Sequence, residues 1–254
     1  LKMKKLLFLI LIIASSVSAQ NADSLFVSAN NSYQDGNFET AIEKYKKIEN
    51  QGFGASELYF NLGNSYYKLN KVGPSIYYYE MALKLNPLNE DVINNLVFAK
   101  RFALDNIEEL PQTVLQRFNK NYLQKLSYNQ WAIVLVVLSI LASLLFLLFY
   151  FAEVPSKKRG YFITSILSFF FLICVLFITY NQYAFSKKNI EAIVFAVKTE
   201  IRNAPTLNSE EIFTLHEGTK VFVLDSVDKW KKIKIADGKL GWILANDLKL
   251  LDNF

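Results

Sequence analysis

Two stretches without a single charged residue constrain this chain more than any other feature. Trp131 to Phe151 reads WAIVLVVLSILASLLFLLFYF, and Tyr161 to Tyr180 reads YFITSILSFFFLICVLFITY. A helix needs about 20 apolar residues to cross a hydrocarbon layer of about 30 Å. Aromatic residues stand at the ends of both stretches, as they do at membrane–water interfaces. Spans are therefore expected at 131–151 and 161–181, joined by a short turn at 152–160. The overall content of 52% hydrophobic and 15% aromatic residues fits a chain that is partly embedded.

That turn carries Lys157-Lys158-Arg159, so the positive-inside rule places it in the cytoplasm and both flanking parts outside. Arg117, Lys120 and Lys125 before the first span, and Lys187 and Lys188 after the second, weaken the asymmetry. The amino end gives a second, independent address. Met3-Lys4-Lys5 is a basic start, Leu6 to Ile13 an apolar core, and Val17-Ser18-Ala19 a small-residue cleavage signal before Gln20. This is the pattern of a secretory signal peptide over 1–19; an uncleaved anchor is the alternative. Leu1-Lys2 ahead of Met3 points to Met3 as the start, or to an unusual start codon. No cysteine follows the cleavage site, so no lipid anchor is expected there. The formal net charge is +5, but the basic residues cluster beside apolar segments rather than in a stripe. Nucleic acid is not an expected partner.

Between these features lies a repeat. Ala41-Ile42-Glu43-Lys44-Tyr45 aligns with Ser75-Ile76-Tyr77-Tyr78-Tyr79 at an offset of 34, which also pairs Ala29 with Gly63 and Ile48 with Ala82. A period of 34 is that of the tetratricopeptide helix–turn–helix. Tyr59, Leu62, Gly63, Tyr66, Tyr79, Ala82 and Pro87 follow its framework, with Ser75 in place of the usual Ala. The first copy keeps Leu25, Ala29, Ala41, Tyr45 and Ile48 but has Phe53 in the proline slot; its turn, Gly36-Asn37-Phe38-Glu39, resembles the family's. Gly36 suits the positive φ that ends a helix. A third copy is half present: Asn89 is a candidate N-cap, with Glu90 and Asp91 in the first turn and Ile93, Leu96 and Val97 on an apolar face. The expectation is an all-α domain at 20–105 of two repeats and a capping helix, since stacked repeats bury their faces only against neighbours. On this reading Tyr77 and Tyr78 sit on a helix whose other face is core.

From 106 to 130, Val114, Leu115, Phe118, Tyr122, Leu123 and Leu126 recur at helical spacing, with Arg117, Lys120 and Lys125 at other positions. Such a segment either lies along the bilayer interface or packs on the repeats as a linker. After the second span the period changes. AIVFAV, KVFVLDSV, KWKKIKI and LGWI are short strands separated by polar turns, which suits a small all-β barrel at 190–251. This part resembles bacterial SH3-like domains in Arg202 and Pro205, in the turn around Gly218, and in Trp230, Gly238, Gly241 and Trp242. The resemblance makes Trp230 and Trp242 core or rim aromatics, with core favoured because aromatic anchors serve packing first.

Nothing in the sequence assembles a catalytic site. His216 is the one histidine and Cys174 the one cysteine, and Cys174 falls inside an expected span. A Cys–His hydrolase therefore has no candidate pair, no metal-ligand cluster is visible, and neither a Walker motif nor G-x-S-x-G occurs. His216 reads as a turn residue, and neither a cofactor nor an enzymatic activity is expected. The order of parts, covering nearly the whole mature chain, resembles the BatE-like membrane proteins of the aerotolerance (Bat) operon family. That resemblance implies a component of a bacterial cell-envelope complex with von Willebrand A-domain membrane proteins, beside a MoxR-type ATPase and with a link to stress tolerance. It implies an inner-membrane, multi-pass location with both soluble parts facing the periplasm.

Three function classes follow: a membrane-anchored scaffold, a peptidoglycan-binding protein acting through the SH3-like domain, and an accessory subunit of a transporter or signal transducer. In tetratricopeptide arrays the concave groove is lined by the first helix of each repeat. The register set by Ala29 and Gly63 places Phe26, Asn30 and Tyr33, then Phe60, Asn64, Tyr67 and Lys68, then Asn94, Phe98 and Arg101 on that surface. The resemblance implies that Asn30 and Asn64, helped by Lys68 and Arg101, hold the backbone or terminal carboxylate of an extended peptide. Phe26 stands where carboxylate-binding members carry Lys, so an apolar or aromatic pocket is an equal alternative. A third is that Asn64 merely braces its neighbours.

Overall fold

Helices flank each turn that the 34-residue period predicts. The structure, a computed structural model, describes residues 22–108, 110–188 and 190–251; the expected signal peptide at 1–19 lies outside them. The described chain forms two compact units, one of residues within 1–85, 89–108 and 191–254, the other of residues within 86–88 and 109–190.

In the first unit, α1 (22–34), α2 (Phe38–Asn50), α3 (Ser56–Lys68), α4 (Val72–Leu85) and α5 (Glu90–Lys100) follow one another through short turns. Gly36 takes φ +78° in the first of these turns. Asn89 caps α5, its side-chain oxygen accepting from Val92 N at 3.2 Å, as its residue type predicts. The repeat's small positions are buried: Ala29, Ala41, Gly63, Ser75 and Ala82. Gly63 sets the distance between α3 and α4, because a Cβ there would lie 2.6 Å from Cδ1 of Tyr79. Ser75, at the position usually held by Ala, donates its hydroxyl to the Gly63 carbonyl at 3.0 Å.

Helix α4 departs from the expected half-buried pattern. Every residue from Ser75 to Ala82 is buried, including Tyr77, Tyr78, Tyr79 and Glu80. A helix buried all round needs cover on every side, and part of that cover comes from the carboxy-terminal barrel. Ile193 and Leu251 of the barrel belong to the same apolar core as Ile76, Tyr77 and Met81, and Phe195 packs against it. The ring of Phe195 meets Tyr77 edge-on at 5.5 Å.

That barrel is a seven-stranded sheet in the order β3-β2-β6-β5-β4-β1-β7. Its strands are β1 (Ile190–Val194), β2 (Lys198–Arg202), β3 (Glu211–His216), β4 (Lys220–Val227), β5 (Trp230–Lys234), β6 (Leu240–Leu244) and β7 (Leu248–Leu250). Consecutive hairpins β2–β3, β4–β5 and β5–β6 are antiparallel, and β7 returns antiparallel to β1. Ile201, Ile233 and Ile243 fill its interior together with Trp230. Of the two tryptophans favoured as core, only Trp230 is buried; Trp242 is half-exposed on β6, opposite Arg202 of β2 and Lys232 of β5.

The second unit holds α6 (Val114–Phe118), a π turn (Asn119–Leu123), α7 (Tyr128–Phe151) and α8 (Pro155–Lys188). Both α7 and α8 are long and apolar enough to cross a membrane. They pack on each other through small residues, with Ala142, Ser165 and Ser168 buried. The boundaries differ from the expected ones. Ser127 and Gln130 form a capping box that starts α7 three residues early. Helix α8 begins at Pro155, a residue suited to a first helical turn, so Lys157-Lys158-Arg159 lie on helix rather than in a loop. With 34 residues, α8 is about 51 Å long, well beyond the hydrocarbon layer.

Candidate partner-binding site

Five of the ten expected groove residues line one cavity of about 240 Å³: Tyr33 of α1, Asn64, Tyr67 and Lys68 of α3, and Phe98 of α5. Tyr79 and Asn95 complete it. The other five stand elsewhere. Phe26 packs against the ring of Tyr45 at 5.8 Å and Phe60 against Tyr79 at 6.1 Å. Asn94 is exposed, its neighbour Asn95 being the residue that reaches the cavity. Arg101 lies just past the end of α5 with its guanidinium 4.9 Å from the centre of the Phe98 ring, a cation–π contact at the cavity edge.

Asn30 and Asn64 are braces before they are anything else. The Asn64 side-chain oxygen accepts from the Tyr79 hydroxyl at 2.7 Å and from Asn95 Nδ2 at 2.8 Å. One period earlier, Asn30 accepts from Tyr45 at 2.5 Å and from Asn61 Nδ2 at 3.0 Å. All three members of the network recur at 34 residues, and each ties two or three helices together. Burial pushes the phenol of Tyr45 up to about 12 and raises that of Tyr79 further, so both remain neutral donors. With its oxygen engaged twice, the Asn64 amide has only its N–H groups to offer a ligand. That suits a carbonyl or carboxylate acceptor. Asn30 and Asn64 were both expected on the groove; Asn64 lines the cavity and Asn30 does not, while Tyr79 and Asn95 line it without having been expected there. The recurrence of Tyr45 at Tyr79 and of Asn61 at Asn95 was the available signal.

A second set of polar contacts joins the repeats to the barrel. Glu80 of α4 is buried, with Lys100 Nζ of α5 and Lys220 Nζ of β4 each 2.9 Å from its carboxylate. Lys220 also meets Glu191 of β1 at 2.8 Å, and Lys84 donates to the Leu251 carbonyl at 2.5 Å. Burial raises the Glu80 carboxyl, but the two ammonium groups outweigh it and hold it at about 2. Lys220 moves up from its ordinary value, since Glu80 and Glu191 outweigh its own desolvation. The ammonium of Lys249 lies 4.2 Å from the Tyr77 ring centre.

His216, expected as a simple turn residue, is part of this joint. Asp105, just past α5, accepts from the His216 backbone N at 2.7 Å and from Thr219 Oγ1 at 2.6 Å, and its other oxygen lies 2.8 Å from His216 Nδ1. Burial raises the Asp105 carboxyl, but the hydrogen bonds from Thr219 and His216 outweigh it and hold it below the ordinary value. Among the described residues, no three His, Cys, Asp or Glu side chains gather as they would around a metal ion.

Aromatic and amide side chains line the groove, and ion pairs of the buried Glu80 tie the barrel to α4. Residues 56–89 match the tetratricopeptide repeat and residues 198–249 the bacterial SH3 domain. These are protein-interaction modules, and no enzyme family is indicated. No curated protein matches the chain.

Proposed function

We propose that this protein is a non-enzymatic, membrane-anchored adaptor whose repeat groove holds an extended segment of a partner protein in a cell-envelope complex. The observation that carries the reading is the cavity formed by Tyr33, Asn64, Tyr67, Lys68, Tyr79, Asn95 and Phe98. Its rings offer apolar contact, the Asn64 amide offers donors to a peptide carbonyl, and Lys68 adds a positive charge at the rim. The resemblance to the aerotolerance family supplies the candidate partner, a membrane protein with a von Willebrand A domain, and the candidate context, stress tolerance. On this reading the bilayer is the bacterial inner membrane and both soluble parts face the periplasm.

The test avoids the bracing residues, whose loss would disturb the fold. A photoreactive residue replacing Tyr33 should crosslink to the partner. Lys68→Glu combined with Phe98→Ala should weaken its capture at least about tenfold, or about 1.4 kcal/mol, with an unchanged circular dichroism spectrum. Undiminished capture by the double variant would move the site away from the groove.

A second reading has its own observation. Trp242 lies half-exposed in one cross-strand row with Arg202 and Lys232, and the Lys232 ammonium stands 6.0 Å from its ring. Trp242 suits a sugar face and Lys232 a flanking acidic group, as in peptidoglycan, while the Arg202 guanidinium is already engaged by the Glu200 carboxylate and the Leu207 and Ser209 carbonyls. Co-sedimentation with purified cell wall, lost in Trp242→Ala, is the expected result if the barrel binds the wall.

A further inference from the structure

We infer that the segment from Thr113 to Leu123 is a membrane-interface element, whose apolar side chains are covered by lipid. This rests on the reading that α7 and α8 cross a bilayer. The segment leaves its largest apolar side chains in the open: Val114 is 85% exposed, Leu115 81%, Phe118 52% and Tyr122 62%. Val114, Phe118 and Tyr122 recur every four residues and so share one side of a helical path, with Leu115 beside them. The rings of Phe118 and Tyr122 are in contact, with centres 5.1 Å apart. Gln116, Arg117, Asn119 and Asn121 fall between these positions, giving the polar counterpart of an interfacial helix.

What covers this face follows from where the segment is held. Its start is fixed by a capping box between Thr113 and Gln116. Its end is tied to both long helices: Trp131 Nε1 of α7 donates to the Leu123 carbonyl at 2.8 Å, and Gln182 Nε2 of α8 donates to Asn119 Oδ1 at 3.0 Å. At the same level Tyr128 of α7 meets Tyr183 of α8 edge-on at 5.9 Å. Trp131, Tyr128 and Tyr183 with Tyr180 form an aromatic belt of the kind found at headgroup depth. An amphipathic segment pinned by one hydrogen bond to that belt and by another to Gln182 beside it lies at the boundary where apolar groups enter lipid and Arg117 stays in water. The face is therefore continuous with the lipid-facing surface of the two spans.

The test uses the full chain in vesicles of phosphatidylcholine and phosphatidylglycerol. Single cysteines replace Leu115, Arg117, Phe118 and Leu144 in a Cys174→Ser background and carry nitroxide labels. Collisions with oxygen, which enters lipid, are compared with collisions with a water-soluble nickel chelate. Labels at 115 and 118 are expected to favour oxygen, at a depth of about 5–10 Å. The label at 117 should favour nickel, and the label at 144 should lie deepest. If 115 and 118 favour nickel while 144 favours oxygen, the segment is in water and the inference falls. Shielding of 115 and 118 from both reagents would mean that protein covers the face, which also overturns it. A label at 144 that favours nickel would overturn the spanning reading itself, and this inference with it.

Discussion

Gly63 shows how a single missing side chain sets the spacing of two helices. Replacing glycine by alanine inside a helix ordinarily gains about 1 kcal/mol. Here the added Cβ would lie 2.6 and 2.7 Å from two carbons of the Tyr79 ring, which is buried and held at its hydroxyl by Asn64. The ring has no room to retreat, so overpacking of about 1–3 kcal/mol outweighs the propensity gain. Gly63→Ala is expected to lower the urea midpoint of unfolding, and an unchanged or higher midpoint would refute the close α3–α4 contact. Tyr79→Phe removes the hydroxyl from Asn64 and is expected to cost about 1 kcal/mol, read as a small drop in melting temperature. Both sites show what was legible in the sequence. Gly63 and Asn64 were found because the 34-residue period compares like positions. The bond between Tyr79 and Asn64 was not, because apolar spacing carries no record of which polar atoms meet across two helices.

At the scale of elements, α4 is the part of the fold that two modules share. Its run of tyrosines looked like one core face and one open face, because the element covering the remainder lies more than a hundred residues away in sequence. For the same reason nothing in the sequence marks Glu80, Lys100 and Lys220 as partners. Their meeting creates a pH dependence with a definite sign. The Glu80 carboxyl, ordinarily near 4.5, is held at about 2 in the folded unit. Its contribution to stability is therefore complete above about pH 4.5 and is lost as the pH falls toward 2. Asp105, also held below its ordinary value, adds to the same acid limb. Lys220 is shifted upward, so its contribution is complete below its ordinary value of 10.5 and lost only as the pH rises beyond it. Melting temperatures should thus be level through neutral pH and fall on the acid side. Glu80→Gln should flatten that fall and lower stability at neutral pH by about 3 kcal/mol, because it strips a partner from a buried ion pair. An acid limb of the same height in Glu80→Gln would remove Glu80 as its cause. Cutting the chain after Leu104 tests the cover itself: Tyr77 and Ile76 lose the barrel, and the shortened repeats should bind a hydrophobic dye that the whole unit does not.

For the whole molecule, the decisive fact is that repeats and barrel share one core while α7 and α8 lie between them in sequence. Glu80 and Asp105 on one side of the two long helices contact Lys220 and His216 on the other. Two parts so joined must occupy one compartment, so any crossings of a membrane between them have to be even in number. Two helices of 24 and 34 residues provide that parity. The sequence alone reached the same parity through two apolar runs and a basic stretch, without any sign that the flanking modules touch. Lys157-Lys158-Arg159 lie in the first turns of α8, next to the short connection Ala152 to Val154 to which the positive-inside rule applies. Single cysteines at Ser56, Ser156 and Ser226 in a Cys174→Ser background separate the possibilities. In cells with a permeabilised outer membrane and an intact inner one, an impermeant thiol reagent should reach position 226 and leave 156 untouched until the inner membrane is opened. Ser56 is buried where its hydroxyl donates to the Ala82 carbonyl at 3.1 Å, so its label is read after mild denaturation with the membrane still intact. Labelling of 156 alone would invert the orientation while preserving the parity. Labelling of 56 and 226 from opposite sides would break the parity, and the shared core of repeats and barrel would have to be abandoned with it.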